Sequence, residues 1–160
     1  MNSLSDAIQK ALTHTVAQLL NTMIPMHYDL ESPAETAMRS DTAVLYLMGN
    51  IKVTGQLMGS LSIGIPHALA LDMTARMLEE PIEEVGDDVY ETVAEIINII
   101  AGGVKSALSA ETELFQLGLP QVIEVNQPPL AFLDNPYRLQ VPIRTESGEF
   151  VLFSTLHETQ

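Results

Sequence analysis

The sequence predicts an α+β fold, an antiparallel sheet with long helices packed on one face, and three observations carry that reading. Apolar residues recur at helical three-four spacing over Leu4–Met23 and again from Asp87 to about Glu113. Runs rich in β-branched and apolar residues lie at 43–48, 56–65, 122–125, 137–144 and 150–156, set apart by glycine, proline and asparagine. The order helix, strands, two helices, strands suits helices gathered on one side rather than alternating βαβ units. With 46% hydrophobic residues, the 160-residue chain can bury on the order of 70% of its unfolded surface, so residues 1–160 are expected to form one domain.

In the first helix, Leu4, Ile8, Ala11, Leu12, Leu19, Leu20 and Met23 mark the apolar side, Ser3 or Ser5 can cap the start, and Pro25 stops it. A polar connection through Glu31, Ser32, Pro33 and Arg39 leads to two antiparallel strands, with turns expected at Gly49-Asn50 and Thr54-Gly55. Pro66 suits the first turn of a short second helix over Ala68–Leu78, which Glu79-Glu80-Pro81 ends. Residues 79–91 hold seven carboxylates, read as a solvated linker and an acidic helix start that complements the macrodipole. After the long third helix come a short strand, a bend at Pro128-Pro129, and a hairpin turning at Glu146-Ser147-Gly148. Pro142 inside the first hairpin strand predicts an edge or a bulge.

Composition excludes several functions. A net charge of −14 rules out a general phosphate-backbone binder, so no nucleic acid is expected as partner. The absence of cysteine removes disulfides, thiolate catalysis and thiolate metal sites, and predicts a reducing compartment. The N-terminal residues carry no apolar core of a secretion signal, and the apolar run Val93–Val104 is too short for a bilayer. No membrane partner is expected, and a cytoplasmic location is. His14, His27, His67 and His157 are scattered, so no metal site of the protein's own is predicted. No glycine-rich phosphate loop occurs, and Ser60-Leu61-Ser62-Ile63-Gly64 lacks the first glycine of a nucleophile elbow and alternates like a strand. The methionines, Met48, Met58, Met73 and Met77 among them, read as gap-filling core or interface residues.

One constellation remains. At 100° per residue, Glu91, Glu95, Asn98, Gly102 and Lys105 fall within about 80° of one another on the third helix, opposite Val89, Val93, Ile96, Ile100, Val104 and Ala107. Every surface helix has a polar face, but two details set this one apart. Asn98 interrupts a run of isoleucines at a cost of roughly 0.5 kcal/mol relative to alanine. Gly102-Gly103 costs about 1 kcal/mol per glycine in mid-helix, which implies a close approach by a partner or by another helix. A carboxylate one turn before a carboxamide is no nucleophile. It can instead pair with a lysine while the carboxamide orients a water in line for attack, as the glutamine of signalling GTPases does.

These residues, Glu91-x-x-x-Glu95-x-x-Asn98 followed by Ile99-Ile100-Ala101-Gly102-Gly103-Val104-Lys105, resemble the signature helix of the CheC/CheX/FliY chemotaxis phosphatases, the CheX branch above all. The likeness extends through AVLYLMGNIKVTGQLMGSLSIGIP, HALALDMTARMLEE, Gly118-Leu119-Pro120 and VPIRTESGEFVL. It implies a CheX/CheC-like sandwich, a homodimer, and dephosphorylation of the aspartyl phosphate of a CheY-like response regulator. It gives Asn98 the attacking water, Glu95 the regulator's lysine, and Glu91, Gly102 and Lys105 the remaining contacts. The Mg²⁺ would be supplied by the regulator. The sequence departs from the family where Glu91 stands in place of a usual Asp or Ser, and where the first helix offers only His14-x-x-x-Gln18-x-x-Asn21 as a second motif. A single site per chain follows. The alternative is a non-catalytic module that binds a regulator or motility component. Self-association is also expected from unpaired strand edges within Ala43–Ile65 or Tyr137–Leu156.

Overall fold

A computed structural model describes residues 3–30, 44–108, 115–127 and 130–159. The elements run α1 (Ser3–Thr22), β1 (Tyr28–Asp29), β2 (Tyr46–Gly55), β3 (Leu57–Pro66), α2 (His67–Leu78), α3 (Asp87–Leu108), β4 (Phe115–Leu117), β5 (Gln121–Val125), α4 (Leu130–Leu133), β6 (Leu139–Thr145), β7 (Gly148–Ser154) and β8 (His157–Glu158). All strand pairs are antiparallel, in the order β1-β6-β7-β3-β2-β4, with β5 also on β2 and β8 on β3. Helices α1, α2 and α3 cover one face, as the sequence predicts. The connection at residues 31–43, the end of the third predicted helix beyond Leu108 and the Pro128-Pro129 bend lie outside the described residues.

The registers sort the sheet into two faces. Leu47, Gly49, Ile51 and Val53 of β2 turn toward the helices with Ile63, Ile65, Leu152 and Val122, while Tyr46, Met48, Asn50 and Lys52 turn away. The main core lies between the inner face and the helices, where Val16, Ile24, Ile63, Met73, Val93, Ile97 and Phe150 are fully buried. A second cluster of Tyr46, Met48, Phe132, Val151 and Phe153 lies on the outer face beneath the single turn of α4. Among the described residues no helix is long and apolar enough to cross a membrane.

The turn expected at Gly49-Asn50 is absent: β2 runs straight through it in register with β3 and β5. Gly49 is there for another reason. A Cβ at that position would stand 3.1 Å from Val93 Cγ1 and 3.2 Å from Ile97 Cγ2, so the missing side chain lets α3 settle on the sheet. The hairpin turn falls at Gly55-Gln56, where Gly55 has φ 123°. Strands β2 and β3 are interior, so they offer no free edges; the borders are formed by β4 and β5 on one side and by β1 and β6 on the other. Pro142 sits on β6 opposite Val151, and the two-residue β1 pairs only Thr145 and Arg144 on that outer side. The proline therefore stands at a border, as its lost N–H requires. The acidic segment after α2 is not wholly solvated, because Ile82 and Val85 pack on the main core.

Arg76 near the end of α2 ties three segments together. Its Nε donates to Asp72 Oδ2 at 2.9 Å and its Nη1 to the Pro25 carbonyl at 2.8 Å, while Nη2 lies 3.4 Å from Glu146 Oε2 in the hairpin turn. Glu146 Oε1 in turn accepts the His27 N–H at 2.6 Å. That backbone donor, opposed by desolvation and assisted by the charge of Arg76, holds the Glu146 carboxyl below its ordinary value of 4.5. A carboxyl lowered in the folded state adds stability above its unfolded pKa and loses it as pH falls through the folded one. Urea denaturation of the parent and Glu146→Gln should therefore show a gap at pH 7 that closes on acidification below 4.5. A gap that stays constant with pH would contradict the assignment.

Candidate functional site

Helix α3 starts after Gly86, whose carbonyl accepts the N–H groups of Val89 at 3.0 Å and Tyr90 at 3.1 Å. Asp87 and Asp88 in its first turn and Lys105 in its last match the ends of the macrodipole. Its buried arc is wider than the predicted apolar stripe. Thr92, Ile97 and Ala101 are buried beside Val89, Val93, Ile96, Ile100 and Val104, because the helix packs on both the sheet and α1. Ala107, expected on the packed side, is exposed in the final turn.

The five predicted site residues line the side turned away from this arc. Glu91, Glu95 and Asn98 are exposed, and among the described residues their side chains make no hydrogen bond or ion pair. Gly102 and Lys105, one and two turns further on, are partly buried. Glu95 and Asn98 are separated by about 4.5 Å along the axis at 1.5 Å per residue, with the carboxylate and carboxamide projecting the same way. The arrangement offers an acceptor for a cation and, beside it, a group that can both donate to and accept from a water.

The two glycines have different causes. A Cβ on Gly103 would overlap the hydroxyl and methyl of Thr15, which is buried and held by its hydrogen bond to the Ala11 carbonyl at 2.8 Å. Gly103 thus admits α1, whereas a Cβ on Gly102 would meet nothing within 4 Å. Among the described residues no packing asks for glycine at position 102. The sequence marked the pair but could not divide it, since Thr15 is far away in the chain.

Other candidates separate from this site. His14, Gln18 and Asn21 are exposed on α1, and Asn21 Nδ2 donates to the Tyr28 hydroxyl at 2.9 Å. Ser60 and Ser62 are strand residues of β3, the first bonded to Thr155 and the second to Asn50. Among the described residues no three His, Asp or Glu side chains gather closely enough to hold a metal ion. Sequence reasoning gave no role to Leu119, which is 87% exposed between β4 and β5, and Met58, read as a core or interface residue, is exposed.

The Gly102 and Gly103 assignments predict opposite effects on stability. Gly102→Ala should stabilise the protein by about 1 kcal/mol through helix propensity. Gly103→Ala should destabilise it, since overpacking of about 1–3 kcal/mol outweighs the same gain. Denaturant titrations that move both variants in one direction would contradict the division.

Solved structures share the fold. A chemotaxis protein CheX from Vibrio vulnificus has a TM-score of 0.75 at 22% identity, the likeness covering 94% of this chain and 96% of that one. A CheC-like superfamily protein from Shewanella sp. PV-4 follows at 0.73 and 22%, covering 98% and 99%. A CheX-CheY-BeF3-Mg²⁺ complex from Borrelia burgdorferi matches at 0.67 and 17%, covering 93% of this chain and 97% of that one. At these identities the likeness establishes the fold. No curated protein matches the chain. The family model described as chemotaxis phosphatase CheX matches residues 47–144, from β2 through α3 to the end of β6, and the chain belongs to that family.

Proposed function

We propose that the chain hydrolyses the aspartyl phosphate of a CheY-like response regulator, using the exposed stripe of α3. The single observation that carries this reading is a rigid helix, buried along its inner arc, that presents Glu91, Glu95 and Asn98 outward with no hydrogen-bond or ion-pair partner among the described residues. Uncommitted polar groups on a fixed rod suit a site that another protein completes. Docked beside the phosphoryl group, the Asn98 carboxamide holds a water in line with the bond from phosphorus to the aspartyl oxygen. The water oxygen attacks phosphorus, that bond breaks, and inorganic phosphate leaves the regulator's free carboxylate. Glu95 pairs with the regulator's lysine and fixes the approach, Glu91 makes an outer contact, and Lys105 and the open surface at Gly102 complete the interface. Mg²⁺ would be held by the regulator, where it would supply neutralisation of charge on the phosphoryl oxygens. Membership of a chemotaxis phosphatase family and fold likeness to a CheX solved with CheY support the reading. It also makes this a cytoplasmic protein.

The test is the decay of a phosphorylated regulator with and without the protein. Asn98→Ala should abolish the acceleration and leave regulator binding intact, because orienting a water acts on the transition state. Glu95→Gln should lower affinity tenfold or more, since it leaves a lysine unpaired at a desolvated interface, and Glu91→Gln should cost much less. Full activity in Asn98→Ala would overturn the mechanism. Equal, small, salt-sensitive losses at both glutamates would reduce the stripe to a solvated face and favour a binding module.

Self-association belongs to the same proposal, relocated to the borders the structure reveals. Among the described residues β5 pairs with β2 alone, so its other side leaves backbone groups that a second copy can cover. Sedimentation at micromolar concentration should give a dimer; a monomer would contradict this arrangement.

A further inference from the structure

The outer face of the sheet differs from the rest of the molecule in charge. The chain carries −14, yet the strands place only Lys52, Arg144, Asp29 and Glu149 among their charged side chains on that face, and these balance. Arg144 and Glu149 are 3.5 Å apart. Lys52 is exposed, and among the described residues its ammonium has no ion-pair partner.

A groove of about 660 Å³ crosses this face. Met48, Phe132 and Phe153 form its apolar floor, the two rings meeting edge to face with centroids 4.6 Å apart, and Ile123 stands beside them 55% exposed. Alternate residues of β2 lead from Met48 past Asn50 to Lys52, so the two positions are separated by four residues, about 13 Å of strand. The volume falls within the roughly 300–1,000 Å³ of small-molecule clefts. A neutral ligand would cover the ammonium without replacing its water, and a multiply charged anion would bring uncompensated charge to an acidic protein. One negative charge matches one lysine.

We propose that this groove binds a small amphiphilic carboxylate, with its apolar body along Met48, Phe132 and Phe153 and its carboxylate on the Lys52 ammonium. The site lies on the face opposite α3 and stands independently of the phosphatase reading. Octanoate and octan-1-ol serve as probes, titrated calorimetrically into the full chain. Octanoate should bind once per chain. Lys52→Gln should weaken it at least tenfold and Ile123→Glu should weaken it as strongly, both variants being at exposed positions that leave the core intact. Octan-1-ol should bind at least tenfold more weakly than octanoate. The proposal is overturned by no saturable octanoate binding, by equal affinity in Lys52→Gln, by octan-1-ol binding equally well, or by octanoate binding that disappears as the chain self-associates, which would give the face to a second copy.

Discussion

The close seating of α3, on the sheet at Gly49 and on α1 at Gly103, is the contact on which the rest of the structure depends. A side chain at Gly103 would force α1 and α3 apart, because Thr15 fills the space beside it, and one at Gly49 would need Val93 and Ile97 to give by a few tenths of an ångström. Interiors are packed to crystal-like density, so such a shift could not be absorbed locally. Seated this way, α3 has its rotation fixed about its own axis. The direction of Glu91, Glu95 and Asn98 is then a consequence of packing on the opposite side.

That seating also explains how groups can be both exposed and well placed. An exposed carboxylate and carboxamide on a loop would sample many positions, whereas here the backbone beneath them belongs to a helix held by two layers. Positioning a water demands such preorganisation, since the benefit comes from geometry set before the partner arrives. The acidic residues from Glu79 to Glu95 gather near the start of the same helix, and the outer sheet face is left nearly neutral. The two sides of the sheet therefore offer different chemistry.

Much of this was legible in the sequence, and the failures share a cause. Helical spacing located α1 and α3, Pro66 with the helix-forming composition after it located α2, and Glu146-Ser147 marked the hairpin, because these signals are local. The polar stripe was also local, a matter of angles along one helix. Gly49-Asn50 was misread as a turn because a glycine under a helix and a glycine in a turn look alike until the helix is in place. The free edges expected at β2 and β3 disappeared for the same reason: β4, β5 and β7, distant in the chain, pair with them. Ala107 was assigned to the core by periodicity alone, which cannot report where a helix outruns its packing partners. The outer groove was invisible, since its residues come from β2, β3, β5, β7, β8 and α4 and share no pattern.

The central claim is that the outward stripe of α3 is the surface a response regulator meets. Amide chemical shifts of the isotopically labelled chain, followed while a beryllofluoride- and Mg²⁺-activated regulator is added, test it most directly. The account predicts that the largest changes fall on Glu91, Glu95, Asn98, Gly102 and Lys105, with Met48, Ile123 and Phe153 on the far face undisturbed. Changes confined to the outer sheet face, with α3 silent, would contradict it.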